Sequence, residues 1–201
     1  MFGKLFPAGI FKPAPVVELP KFGDLQYGYY GRVPAKDAMP FATLMAAVPG
    51  LGGTTNIMNS EWLKFAYKGK TILIPRACPI RNVSRNIVAG YGNGKTVSHD
   101  GKTYTIWIMS GGSSEAEDSD YSRFIGPLVG AAGKPRWDNY TFADISQSNL
   151  PNLAPCGTVT ANLSGSLAVV RGRTGAMTWG TQPAGTVAPD IGWRPLLELI
   201  P

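Results

Sequence analysis

Charge is scarce in this chain. Asp, Glu, Lys and Arg make up 16% of its 201 residues, against about a quarter in an average globular domain. Histidine is scarcer still: His99 is the only one, and Cys78 and Cys156 are the only cysteines. That stock excludes a His-rich metal centre, and a zinc site of Cys and His alone would lack a ligand. No metal or other cofactor is expected. With no C-x-x-C pair, the thiols read as buried free cysteines, and a single disulfide is the alternative outside the cell. No run of 18 apolar residues exists, so membrane insertion is not expected. The apolar start is broken by Pro7, Lys12 and Pro13, which spoils a signal-peptide pattern and sets the expected mature start near Met1. The net charge of +6 permits contact with nucleic acid or anionic glycans, yet no run of five Lys or Arg occurs. A mildly basic surface is the plainer account, and no nucleic-acid partner is expected.

Turn chemistry is what the chain has in quantity. Gly 25 and Pro 17 together fill roughly a fifth of it. The prolines crowd residues 1–40, where Pro7, Pro13, Pro15, Pro20, Pro34 and Pro40 oppose any long helix or central strand. The same segment is too rich in apolar and aromatic side chains for a solvated linker. It reads as an extended arm that buries its side chains on a partner, with Phe2, Leu5, Phe6, Ile10, Phe11, Val16 and Val17 as candidate anchors. Residues 41–201 read as one β-rich globular domain.

Two hairpins stand out. Residues 62–67 and 70–75 alternate around Lys68 and Gly69, and residues 95–99 and 102–109 flank Asp100 and Gly101. Asp-Gly between β-rich runs is among the strongest short hairpin signals. Residues 39–47 fit a short helix or a strand, and Asp118, Ser119 and Asp120 can cap a helix over 121–125. Residues 126–165 read as irregular, with a turn or short helix at 143–148. Strands are expected at 165–170 and around 176–179, on either side of a turn at 171–175.

AGYGNGKT, residues 89–96, imitates a phosphate-binding loop. A Walker loop needs glycine where Ala89 stands, and a helix must follow it. Here strand and turn follow, so the stretch reads as a connector between strands whose Gly90, Gly92 and Gly94 supply tight turns. His99 beside Asp100 reads as a turn residue, with no G-x-S-x-G elbow to make it a general base. Glu115, Glu117, Asp118 and Asp120 lack EF-hand spacing and read as a solvated loop. No catalytic residue is assigned. Among the tryptophans, Trp62, Trp107 and Trp193 lie in β patterns and read as core. Trp137 and Trp179 lie in loop-rich stretches. With Tyr140 they are the candidate glycan contacts, since sugar faces stack on aromatic rings.

The order of three stretches carries a resemblance. They are residues 62–75, residues 91–104, and the ending Gly192, Trp193, Arg194, Pro195, Leu196, Leu197, Glu198, Leu199. Together they resemble virion structural and fibre-like appendage proteins of tailed bacteriophages. The G-W-R-P ending is also similar to the last strand of C-type-lectin-like modules. The expected fold is mainly β (α+β): antiparallel hairpins with one to three short helices, behind an extended N-terminal arm. The resemblance favours a C-type-lectin-like arrangement over a β-sandwich. It implies a non-enzymatic structural protein of the virion, in the capsid, neck or tail fibre, anchored through the arm to other virion proteins. A homo-oligomer such as a trimer is expected. The alternative is an adhesion module for a host-surface glycan or receptor.

Overall fold

The computed structural model describes residues 18–55, 61–114, 117–146 and 156–201. The chain enters through β1 (Phe22–Gly23) and β2 (Tyr27–Pro34), then α1 (Phe41–Ala47), β3 (Thr54–Thr55), β4 (Glu61–Tyr67), β5 (Lys70–Pro75) and β6 (Ile80–Arg81). It continues through α2 (Arg85–Tyr91), β7 (Thr96–His99), β8 (Lys102–Ile108), α3 (Asp120–Val129) and α4 (Phe142–Ser146). The last strands are β9 (Gly157–Ser164), β10 (Leu167–Arg171), β11 (Trp179–Pro183), β12 (Ile191–Trp193) and β13 (Pro195–Ile200). This is the mainly β, α+β chain that its turn chemistry implies.

The strands form two sheets. One runs β1-β2-β4-β5-β13-β8-β7 and the other β11-β10-β9-β12-β6-β3. Among the described pairs only β9 with β12 is parallel. The β4–β5 and β7–β8 turns hold left-handed residues at both central positions: Lys68 (φ 51) with Gly69 (φ 74), and Asp100 (φ 49) with Gly101 (φ 70). Such turns match the right-handed twist of the flanking strands, which is why these pairs fold as tight hairpins.

Central strands are buried on both faces. In β4, Trp62 enters one apolar cluster while Leu63 and Phe65 enter a second; in β13, Leu197 and Leu196 divide the same way. The first cluster draws on both sheets and on α1, through Phe41, Leu44, Trp62, Ile106, Val159, Val170 and Trp193. The second lies under α3, where Tyr121, Phe124, Ile125 and Leu128 cover β2, β4 and β5. That helix is capped as its sequence suggests. Ser119 and Ser122 form a reciprocal capping box, and Gly130 ends the helix in the left-handed region.

Several expectations need correction. Residues 27–34 are not part of an arm: β2 pairs with β4 from Tyr27 to Pro34, and Pro34 sits at the strand end where its missing N–H is tolerated. Residues 157–164 are not irregular but form β9, a strand rich in Thr and Asn that is paired by β10 and β12. Strand β11 begins at Trp179, where the expected strand ended. AGYGNGKT does not join two strands. Its first three residues finish α2, which is capped by the Ser84 hydroxyl accepting from Ile87 N at 3.3 Å. Gly92 N donates to Val88 O and Gly94 N to Ile106 O, both at 2.8 Å, so these amides are not free to cradle a phosphate.

Candidate interaction surfaces

The seven expected anchors, Phe2, Leu5, Phe6, Ile10, Phe11, Val16 and Val17, lie outside the described residues. What is described is the root from which that segment leaves. Glu18 forms an ion pair with Lys64 of β4, and the Lys64 ammonium sits 4.5 Å from the Tyr30 ring centroid. Just beyond this clamp the chain turns over in the β1–β2 hairpin. Asp24 Oδ1 accepts from Gln26 N at 2.7 Å and Tyr27 N at 2.9 Å, a local carboxylate-to-backbone turn. The turn is braced from behind, because Lys68 N donates to Gln26 O and Gly69 N to Leu25 O. Held in this way, the hairpin presents apolar side chains to water. Leu19 is 70% exposed, Phe22 45% and Leu25 37%. Leu19, Pro20 and Leu25 line an open hollow of about 480 Å³. The sequence contained this signal: apolar residues continue past Val17, and none of the described residues covers them.

The glycan-contact candidates do not converge. Trp137 is 6% exposed and belongs to the second core cluster. Its ring lies 4.6 Å from Tyr27 and is stacked on Tyr29 at 6.2 Å. It offers no open face to a ligand, contrary to expectation, because residues 130–141 fold back over the large sheet: Trp137 N donates to Pro127 O and Tyr140 N to Leu128 O. Tyr140 is half-buried beside it, with the Arg32 guanidinium 5.9 Å from its ring centroid, and burial pushes its hydroxyl pKa up. Trp179 is exposed, at 44%, but lies on β11 at the edge of the other sheet.

Trp107 reverses the expectation in the other direction. It is 39% exposed rather than core. In β8, Tyr104, Ile106 and Ile108 face the first cluster, so Trp107 shares the opposite face with Thr103 and Thr105, and α3 does not reach far enough to cover it. That polar-Thr face was readable from the period-two pattern. Trp107 borders a shallow cleft of about 250 Å³ with Tyr67, Asp120 and Glu198. Both carboxylates have local partners: Glu198 pairs with Lys70 at 2.5 Å, while Asp120 accepts from Ser110 N at 2.9 Å and pairs with Arg123 at 3.1 Å.

Of the remaining acidic loop, Glu115 lies outside the described residues, and the carboxylates that are described are locally bonded. Glu117 accepts from Ser113 N and Oγ, and those bonds hold its carboxyl below the usual range. Asp118 pairs with Arg123 at 2.6 Å. Among the described residues no three His, Cys, Asp or Glu side chains gather as a metal site, and no helix is long and apolar enough to cross a membrane. Comparison with protein-family models, with curated proteins and with solved structures gave no match.

Proposed function

We propose that this chain is a non-enzymatic structural component of an assembled particle, a virion protein of the tailed-phage kind that its sequence resembles. Its N-terminal segment and the ledge of Leu19, Phe22 and Leu25 join it to neighbouring subunits, as a homo-oligomer or with other virion proteins. The observation that carries this reading is the ledge itself. Three apolar side chains stand exposed on a braced turn, directly after an apolar segment of the sequence, with the Glu18–Lys64 pair holding the first described residue against β4. Burying such side chains is worth about 1.5–3 kcal/mol each, which makes the strip a strong association surface. Replacing Leu19, Phe22 and Leu25 together by Ser should shift the full-length protein to smaller species in sedimentation velocity, with an unchanged circular dichroism spectrum. Deleting residues 1–17 should do the same. Assembly that survives both changes would sink the reading.

A second reading, an adhesion module, is supported by Trp107, whose half-open ring lies beside Asp120 and Glu198 in one cleft. An aromatic plate flanked by carboxylates suits a sugar, with one face to stack and hydroxyls to bind. Glycan-array binding that is lost in Trp107→Ala and kept in the Ser triple variant would favour this reading over the first. A flat array at high protein concentration would count against it.

A further inference from the structure

Cys78 and Cys156 are far apart in sequence and adjacent in the core. Cys78 lies on the crossing from β5 of the large sheet to β6 of the small one, and Cys156 immediately precedes β9. Their exposures are 0% and 2%. Strand β12 passes between them at Gly192. A Cβ on that residue would stand 2.6 Å from Cys156 Sγ and 2.8 Å from Cys78 Cβ, so the two side chains occupy the space that a residue larger than glycine would fill. Both sulfurs also approach one carbonyl: Gly157 O is 3.9 Å from Cys78 Sγ and 3.6 Å from Cys156 Sγ.

The surroundings favour a thiolate. Arg194, two residues beyond Gly192, is 1% exposed and donates from Nη2 to Ile145 O at 2.6 Å. Its Nε and Nη1 are buried and make no hydrogen bond of ordinary geometry, and the neutral Tyr121 hydroxyl beside it supplies no negative charge. A guanidinium keeps its charge in such a place, and a buried charge calls for an opposite one. Cys78 can supply it. The Cys156 thiol, then the Arg194 cation and the Thr158 hydroxyl 3.6 Å away, hold the Cys78 pKa below its usual value against the effect of burial. Cys156 is pushed the other way by Cys78 and by burial, so Cys78 is the thiol of the two that gives up its proton first. A thiolate with a protonated thiol at its side is the arrangement that leads to a disulfide.

We propose that Cys78 and Cys156 form an oxidation site that closes to an intramolecular disulfide when the protein meets a peroxide. The Cys78 thiolate attacks one peroxide oxygen, the O–O bond breaks, hydroxide leaves, and Cys78 becomes a sulfenic acid. Cys156 sulfur then attacks the Cys78 sulfur. Its proton and the sulfenic hydroxyl depart as water while the S–S bond forms. Two electrons pass from the sulfur pair to the peroxide. Burial slows entry of the oxidant to the rate of local opening, and it also directs the product within the chain, since no second chain can reach either sulfur. The bond would tie the crossing between the sheets to the head of β9.

The test uses the full-length folded protein and hydrogen peroxide. After quenching, unfolding in N-ethylmaleimide and intact-mass measurement, both thiols should be lost to alkylation. The chain should remain a monomer on a non-reducing gel, and a peptide pair linking Cys78 to Cys156 should be found. The Tm should rise by about 5–10 °C and return on adding dithiothreitol. In Cys156→Ser, Cys78 should be trapped by dimedone as the sulfenic acid. Full alkylation of both cysteines after peroxide would overturn the proposal. So would chain-to-chain cross-links, separate sulfinic acids, or a linked species with unchanged or lowered Tm.

Discussion

Trp137 and Trp179 carry the same side chain into opposite environments, and their substitutions should separate cleanly. Trp137 packs against Tyr27, Tyr29 and Phe65. Trp137→Ala should cost about 3–5 kcal/mol by urea denaturation, because it empties a filled aromatic cluster. Trp179→Ala removes a surface side chain and should stay within about 0.5 kcal/mol. Equal costs would show that the burial assigned to Trp137 is wrong. Gly192 makes a second residue-scale case. Beside the two cysteines, the Ile80 carbonyl oxygen lies 2.5 Å from where a Cβ would stand. A backbone atom paired across β6 and β12 cannot swing aside. Gly192→Ala should therefore lower stability by about 2–3 kcal/mol, read from the urea midpoint at constant slope.

Among the elements, α3 is the one whose start the local sequence specifies best. Ser119 accepts from Ser122 N at 3.2 Å, and Ser122 Oγ accepts in return from Ser119 N at 3.0 Å. Ser119→Ala should cost about 1 kcal/mol, and Ser119→Asp should recover most of it, since Asp also caps well. Equal stability of all three proteins in thermal melts would refute the role of the cap. This helix and both hairpins were legible because their signals lie within a few residues of each other. Helix α2 was not, because its seven residues hold two glycine-flanked positions and too few turns to show a period. Strand β9 was not, because Gly157, Asn162 and the serines beside it are turn-like, its first four residues are all buried so that no two-residue alternation shows, and its burial comes from β10 and β12 on either side.

At the scale of the molecule, buried tyrosines couple the two-sided large sheet to pH. Burial pushes the Tyr27 hydroxyl up to about 12, while its Oη donates to Arg123 O at 2.6 Å. Tyr29 and Tyr121 are raised by burial as well. An unfolded tyrosine ionises near pH 10. The unfolded chain thus loses these protons first, so the stabilisation is complete below about pH 10 and is lost as pH climbs towards the folded value. The urea midpoint should fall between about pH 10 and pH 12, while phenolate absorbance rises. A constant midpoint across that window would contradict the burial of these hydroxyls. The surfaces depend on the same architecture. Leu19, Phe22 and Leu25 project because β1 forms the edge of the sheet, and Trp107 stays half open because it stands on β8, next to the edge strand β7, at the margin of the face that α3 covers.

Turn residues and two-residue alternation settle the hairpins at Lys68 with Gly69 and Asp100 with Gly101, and with them the mainly β class. These are short-range preferences, and backbone sterics act on neighbours alone. The apolar character of the N-terminal segment is equally local, as is the mismatch of Ala89 with a phosphate loop. Long-range packing chose the rest. Which tryptophan meets water depends on where residues 130–141 fold back. The meeting of Cys78 with Cys156 depends on the bare Gly192 of β12, a strand to which neither cysteine belongs, and Arg194 is buried where β12 passes into β13 and α4 meets it through the Ile145 carbonyl. No window of sequence contains those contacts, because each is made between segments that only the completed fold brings within reach.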